Sequence, residues 1–148
     1  MNNLKPMKIA IACDHGGVAL KRHLKQHIHA EWLDLGANTT DSVDYPDYGY
    51  ALAQAISDKQ ADFGIAICGS GIGISMACNR YNHVRAALCT DTTMARLSRE
   101  HNNANIVCLG ARLTGDLLAQ EIIETFLDTE FDGGRHERRV NKLSLKGA

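Results

Sequence analysis

The chain has 148 residues, a formal net charge of −1, and 45% hydrophobic against 22% charged side chains. That length suits one domain, residues 1–148, able to bury about 70% of its unfolded surface, and the near-neutral balance excludes a general nucleic-acid or membrane surface. No apolar run nears the ~18 residues of a spanning helix, and no apolar segment near Met1 marks a secretory signal.

Five cysteines, Cys13, Cys68, Cys78, Cys89 and Cys108, are odd in number and never spaced C-x-x-C, which argues against a disulfide framework or a zinc knuckle. A reduced, cytoplasmic protein is expected. After a short extension, residues 1–6, the run Lys8 to Cys13 predicts a first strand that ends at Asp14-His15-Gly16-Gly17. Leu20, Leu24 and Ile28 then recur every fourth residue with Lys21, Arg22 and Lys25 between them, predicting an amphipathic helix. Glu31 to Leu35 reads as the second strand. Asn38 to Asp47 reads as a polar loop, with Pro46 barring regular pairing. Ala51, Leu52, Ala55 and Ile56 mark the next helix, Phe63 to Ile67 the third strand, and Ile72 to Arg80 a helix after a glycine loop. Arg85 to Cys89 is the fourth strand. A helix N-capped by Asp91 runs on to His101, Ile106 to Leu109 is the fifth strand, and Leu118, Ile122, Ile123, Phe126 and Leu127 mark the following helix.

Strands alternating with helices predict an α/β fold: a Rossmann-like, three-layer α/β/α architecture around a five-stranded parallel sheet, with a C-terminal helical tail from residue 132. Such sheets bind ligands beyond the carboxyl ends of their strands. Asp14, His15, the loop Cys68 to Gly73, Asp91 and Gly110 to Arg112 all fall at that edge.

The loop Cys68-Gly69-Ser70-Gly71-Ile72-Gly73 is the most informative segment. Glycines this dense let backbone N–H groups turn inward as an anion-binding nest, and a thiol at its mouth has amide dipoles to favour its thiolate. Ile74 removes the G-x-G-x-x-G and C-x5-R readings, and no Gly-Lys-Ser/Thr follows to make a P-loop. The other four cysteines read as inert core thiols. His23 and His27 are spaced i,i+4 but lack the H-E-x-x-H pattern, so they read as part of a solvated basic face. In the tail, Gly133-Gly134 breaks the preceding helix; if the segment after it is helical, Arg135 and Arg139 share a face and can grip one phosphate between two guanidinium forks. Val140, Leu143 and Leu145 are candidates to dock on the body or on a partner subunit.

Several ordered motifs make the chain resemble the sugar-phosphate isomerase family that comprises ribose-5-phosphate isomerase B, allose-6-phosphate isomerase and galactose-6-phosphate isomerase subunits. They are Cys13-Asp14-His15, Asp44-Tyr45-Pro46, CGSGIGIS from Cys68, Val84-Arg85-Ala86, Leu97-Ser98-Arg99-Glu100-His101-Asn102, Gly110-Ala111-Arg112 and GGRHERRV from Gly133. The family has a type with a cysteine base before the glycine loop and a type with glutamate at the position of Ile74; Cys68 with Ile74 resembles the first. Ser70 stands where many members carry threonine, and Arg138 is an extra basic neighbour.

The resemblance implies interconversion of ribose 5-phosphate and ribulose 5-phosphate through a cis-enediolate. It implies Cys68 as base, His101 as the ring-opening group and Ser70 as a proton relay. Gly69, Gly71, Ile72 and Gly73 would hold the enediolate through backbone N–H groups, while Asp14, Tyr45 and Asn102 bind the sugar. Arg112, Arg135 and Arg139, with His15, would bind the phosphate. No metal and no organic cofactor is expected, since the substrate carbonyl itself acidifies the neighbouring C–H. A homodimer or homotetramer with sites at the subunit interface is implied as well. Two other readings remain open at this point: isomerisation of allose 6-phosphate or galactose 6-phosphate, and a non-catalytic module binding a sugar phosphate or nucleotide on the same scaffold. A redox sensor built on Cys68 lacks an evident resolving cysteine.

Overall fold

The computed structural model describes residues 5–144; residues 1–4 of the extension and Leu145 of the tail lie outside that range. Strands β1 (Lys8–Cys13), β2 (Glu31–Asp34), β3 (Phe63–Cys68), β4 (Ala86–Leu88) and β5 (Ile106–Gly110) form one sheet in the order β2-β1-β3-β5-β4, all pairs parallel. The helices are α1 (Val18–His27), α2 (Tyr45–Ser57), α3 (Ile72–Cys78), α4 (Thr92–Glu100), α5 (Asp116–Asp128) and α6 (Arg135–Leu143), and a 3-10 turn at His15–Gly17 leads into α1.

Successive side chains of a strand point to opposite faces, and here that alternation sorts the core in two. Ile9, Ile11 and Cys13 of β1, Ile65 and Ile67 of β3, and Val107 and Leu109 of β5 pack with Leu20, Leu24, Ile122, Ile123 and Phe126 of α1 and α5. Ala10, Ala12, Ala66, Cys68, Ile106 and Cys108 face the other way, toward Leu52, Ala53, Ile56 and Ile74 of α2 and α3. Strands covered on both faces read as continuous apolar runs, which is why β1, β3 and β5 were legible. Parity with Ala66 puts Cys68 on the face shared with α3.

Element ends differ from expectation where side chains intervene. Tyr45 and Pro46 open α2 instead of closing a loop, because proline at the first turn gives up only an N–H that a helix start cannot use. The edge strand β4 begins at Ala86, since the Arg85 N–H is taken by Asn105 Oδ1 at 2.8 Å. β2 stops one residue early, at Asp34, and α3 stops at Cys78, while β3 and β5 each run one residue further, to Cys68 and Gly110. Asp91 caps α4 as predicted, its Oδ1 accepting from the Met94 N–H at 2.7 Å. The tail is helical as α6, burying Val140 and leaving Leu143 60% exposed.

Two features of this topology position the candidate site residues. The chain leaves β1 over the α1 and α5 face but leaves β3 over the α2 and α3 face, so the departing loops diverge and open a crevice above the β1–β3 pair. Helices return antiparallel to the strands they connect, so the C-terminus of α4, with His101, lies at the opposite edge of the sheet.

Candidate active site

A cavity of ≈ 490 Å³ lies over the crevice, lined by Asp14, Tyr45, Cys68, Gly69, Ser70, Gly73, Arg112 and Leu113. Small-molecule sites span about 300–1,000 Å³. Asp14 follows β1; its N–H donates to the Ile67 carbonyl at 3.1 Å and its Oδ1 accepts from the Gly16 N–H at 2.9 Å, which fixes the carboxylate at the rim. Tyr45, at the start of α2, lays its ring over Gly73, where a Cβ would stand 2.6 Å from the ring carbon Cζ. Arg112 is latched to the glycine loop by two backbone bonds, Ala111 N–H to the Cys68 carbonyl (2.9 Å) and Arg112 N–H to the Gly69 carbonyl (3.0 Å). Its guanidinium belongs to none of the ion pairs among the described residues, which leaves a cation at the cavity edge.

Cys68 ends β3 at 4% exposure, and its Sγ accepts the Gly71 N–H at 3.1 Å. An N–H aimed at sulfur stabilises negative charge there. The bond needs the loop to reverse at Gly71, whose φ of +77° is left-handed and where a Cβ would meet Leu88 Cδ1 at 2.6 Å, so no side chain fits. The loop departs from the sequence reading in one respect. The Gly71 N–H is spent on Cys68 and the Ile72 N–H on Ser70 Oγ (3.2 Å), and neither residue lines the cavity; the Ile72 side chain is 46% exposed. Gly69, Ser70 and Gly73 present the loop to the cavity instead.

The remaining thiols are a different population. Burial pushes Cys13 and Cys89 up to about 11 each. Cys108 is raised by its hydrogen bond with Cys78 and then by burial. None of them lines the cavity.

His15, beside Asp14, accepts the Val43 N–H on Nδ1 at 3.1 Å, which leaves the proton of the neutral ring on Nε2. The loop carrying Val43 is braced by Lys21, one of the charged residues between the apolar positions of α1. It is 3% exposed, and its Nζ donates to Asp34 Oδ1 (2.8 Å), the Ala37 carbonyl (2.6 Å) and Asn38 Oδ1 (2.8 Å). All three ammonium donors are thereby satisfied. Lys21 sits three residues from both Val18 and Leu24, on the buried stripe of α1. His23 and His27 stack at 4.1 Å; His27 is exposed as expected, but His23 is partly covered and its Nε2 is buried without a partner among the described residues.

His101, Asn102 and Arg139 are elsewhere. They line a separate cleft of ≈ 300 Å³ with His136, Val140 and Leu143, at the edge of the sheet where β4 and β5 begin. The His101 and His136 rings stack at 4.3 Å and 12°. Desolvation, then the adjacent His101 and Arg135, lower the His136 pKa. Asp132 brings its carboxylate within 4.8 Å of both rings, but nearly parallel imidazoles do not converge their in-plane lone pairs on one ion. Arg135 and Arg139 are one helical turn apart on α6, both exposed, and Arg135 lines neither cavity. One chain thus places its candidate residues in two groups: Cys68 with Asp14, His15, Tyr45, Ser70 and Arg112 at one edge, and His101 with Asn102 and the tail arginines at the other. Asp91, expected at the first edge, acts there only as the α4 cap and lines no part of the cavity.

A family model described as Ribose/Galactose Isomerase matches residues 9–143. The chain is 39% identical over 140 residues to ribose-5-phosphate isomerase B of Escherichia coli, covering 93% of this chain and 94% of that one. Among solved structures it is similar to a ribose 5-phosphate isomerase from Thermotoga maritima (52% identity, TM-score 0.91, 93% and 97% of the two chains). It is similar also to ribose-5-phosphate isomerase B of Clostridium thermocellum (49% identity, TM-score 0.92, 93% and 95%).

Proposed function

The chain belongs to the ribose/galactose isomerase family, and from that premise we propose that it interconverts ribose 5-phosphate and ribulose 5-phosphate through a cis-enediolate, with Cys68 as the base. The observation that carries this reading is the Cys68 sulfur, held by the Gly71 N–H in a cavity that also contains Asp14, Ser70 and Arg112. The thiolate takes the proton from C2 of the open-chain aldose. Ser70 passes a proton between O2 and O1, and the thiol returns its proton to C1, leaving the carbonyl at C2. Backbone N–H groups of Gly69 and Gly73 hold the enediolate oxygens; removing one such donor costs about 10²–10³ in rate. Asp14 and Tyr45 orient the sugar hydroxyls, and Arg112 and His15 Nε2–H bind phosphate oxygens.

The furanose must open before this chemistry begins. His101 takes the proton from the C1 hydroxyl and returns it to the ring oxygen, a role suited to imidazole near neutral pH. Asn102 bonds the sugar, and Arg135 and Arg139 complete the phosphate clamp. Those groups reach Cys68 only from a second copy of the chain, so the active species is a dimer, alone or paired into a tetramer, with each site shared. Ile72, Met76 and Leu113, apolar side chains 46%, 62% and 69% exposed beside the Cys68 loop, support that reading. No helix among the described residues is long and apolar enough to cross a membrane, and five free thiols suit the reducing cytoplasm.

A side-by-side assay on ribose 5-phosphate, allose 6-phosphate and galactose 6-phosphate, with and without EDTA, tests the assignment. Turnover of ribose 5-phosphate that exceeds both six-carbon rates and ignores EDTA is expected. A higher rate on a six-carbon substrate overturns the choice of ribose. For the phosphate contact, Arg112→Ala is expected to raise KM about tenfold with kcat changed less than about threefold, the loss of one charge-assisted hydrogen bond. An unchanged KM removes Arg112 from the clamp.

A further inference from the structure

Arg99 is buried at 7% exposure and takes part in no ion pair among the described residues. A buried guanidinium is stabilised by N–H groups directed at acceptors, and three of the five here are, toward two backbone carbonyls and one side-chain amide. Nη1 donates to Asn103 Oδ1 at 2.9 Å and to the Ala104 carbonyl at 2.6 Å, while Nε donates to the Thr129 carbonyl at 3.1 Å. The guanidinium carbon lies 4.8 Å from the Phe63 ring centroid and 5.6 Å from that of Phe126, so the cation rests against a pair of aromatic rings.

The backbone closes the same turn. Asn103 has a left-handed φ of +46°, and its N–H donates to the Arg99 carbonyl at 3.2 Å, an αL cap on the end of α4. His101 and Asn102 are therefore enclosed between Arg99 and Asn103, which are joined by both main chain and side chain. The bond to Thr129 ties this turn to the end of α5, where the chain sets out toward Asp132, His136 and Arg139. The Asp132 N–H donating to the Glu100 carbonyl at 3.1 Å repeats that tie one step further on.

We propose that Arg99 is a positioning residue for ring opening: its guanidinium locks the His101–Asn102 turn against the segment that brings His136 and Arg139 beside it. The proposal rests on the reading of His101 as the ring-opening group. Its lever is a difference between the two substrates. Ribose 5-phosphate is mostly a furanose closed through O4, whereas ribulose 5-phosphate stays open because O5, the oxygen needed to close a five-membered ring onto C2, carries the phosphate. A misplaced His101 thus slows turnover of ribose 5-phosphate, while reaction from ribulose 5-phosphate can release the open-chain aldose and let it close in solution.

The test measures initial kcat in both directions for Arg99→Met and His101→Ala, with circular dichroism and size-exclusion chromatography to check fold and assembly. A displacement of about 1 Å costs up to about 10²-fold, so Arg99→Met is expected to lose about 10- to 100-fold from ribose 5-phosphate and less than about threefold from ribulose 5-phosphate. If Arg99→Met does not fold, Asn103→Gly keeps the left-handed turn while deleting one acceptor, and is expected to show the same asymmetry at a few-fold level. Equal losses in both directions, or none, in the folded variant overturn the role of Arg99 when His101→Ala shows the asymmetry. Symmetric behaviour of His101→Ala itself removes the ring-opening reading, and the proposal with it.

Discussion

Cys68→Ala is expected to leave a folded chain that binds ribose 5-phosphate but has lost about 10³-fold or more in kcat, since a positioned general base contributes about 10²–10⁴. The fold should survive because Cys68 is the last residue of β3, at the margin of the α2 and α3 core where it also lines the cavity. Deleting it leaves the Gly71 N–H without its acceptor, a cost of about 1–3 kcal/mol if no water replaces it. Cys68→Ser separates that cost from the chemistry. Its hydroxyl accepts from Gly71 at nearly the same place, yet a serine hydroxyl does not ionise near neutral pH, so stability should return while the rate does not. The measurements are kcat, ligand binding by calorimetry, and deuterium uptake at the exchanging carbon from D₂O. A Cys68→Ala enzyme within tenfold of the unmodified rate eliminates this sulfur as the base. The buried thiols offer no substitute, since burial raises Cys13 and Cys89 to about 11 and neither adjoins the cavity.

Much of this site was legible because the sheet does the positioning. The apolar runs Ile9 to Ala12 and Ile65 to Cys68 each predict a buried parallel strand whose end carries Asp14 or Cys68 to the ligand-binding edge, and the fold pairs the two strands as neighbours over one crevice. Asp91 was readable as a cap for a local reason, a short acceptor three residues before a free N–H. Pro46 was misjudged because its meaning depends on position: it breaks a helix interior but suits a first turn. The burial of Lys21 is not legible in the sequence, because a charged residue on an apolar stripe goes inside only when distant acceptors, here Asp34, Ala37 and Asn38, gather around it. The destination of each amide in the glycine loop was beyond reach as well. Only the fold shows that the Gly71 and Ile72 N–H groups turn back onto Cys68 and Ser70.

The separation of His101 from Cys68 has a consequence that mixing experiments can read. Neither Cys68→Ala nor His101→Ala homodimers hold a complete site if each site draws Cys68 from one copy and His101 from the other. In a mixed dimer one site inherits both lesions, and the other pairs the intact Cys68 of one chain with the intact His101 of its neighbour. Random re-pairing of equal amounts makes about half the dimers mixed, each with one good site, so about one quarter of the unmodified activity from ribose 5-phosphate should return. Recovery requires subunit exchange, so the two variants are unfolded together, refolded, and compared with each refolded alone. A mixture no more active than the average of its parts, with mixed dimers demonstrated by native mass spectrometry, means that the two groups of residues do not meet across an interface. His101 would then have to act from within its own chain, against the whole height of the sheet that stands between α4's last turn and the end of β3.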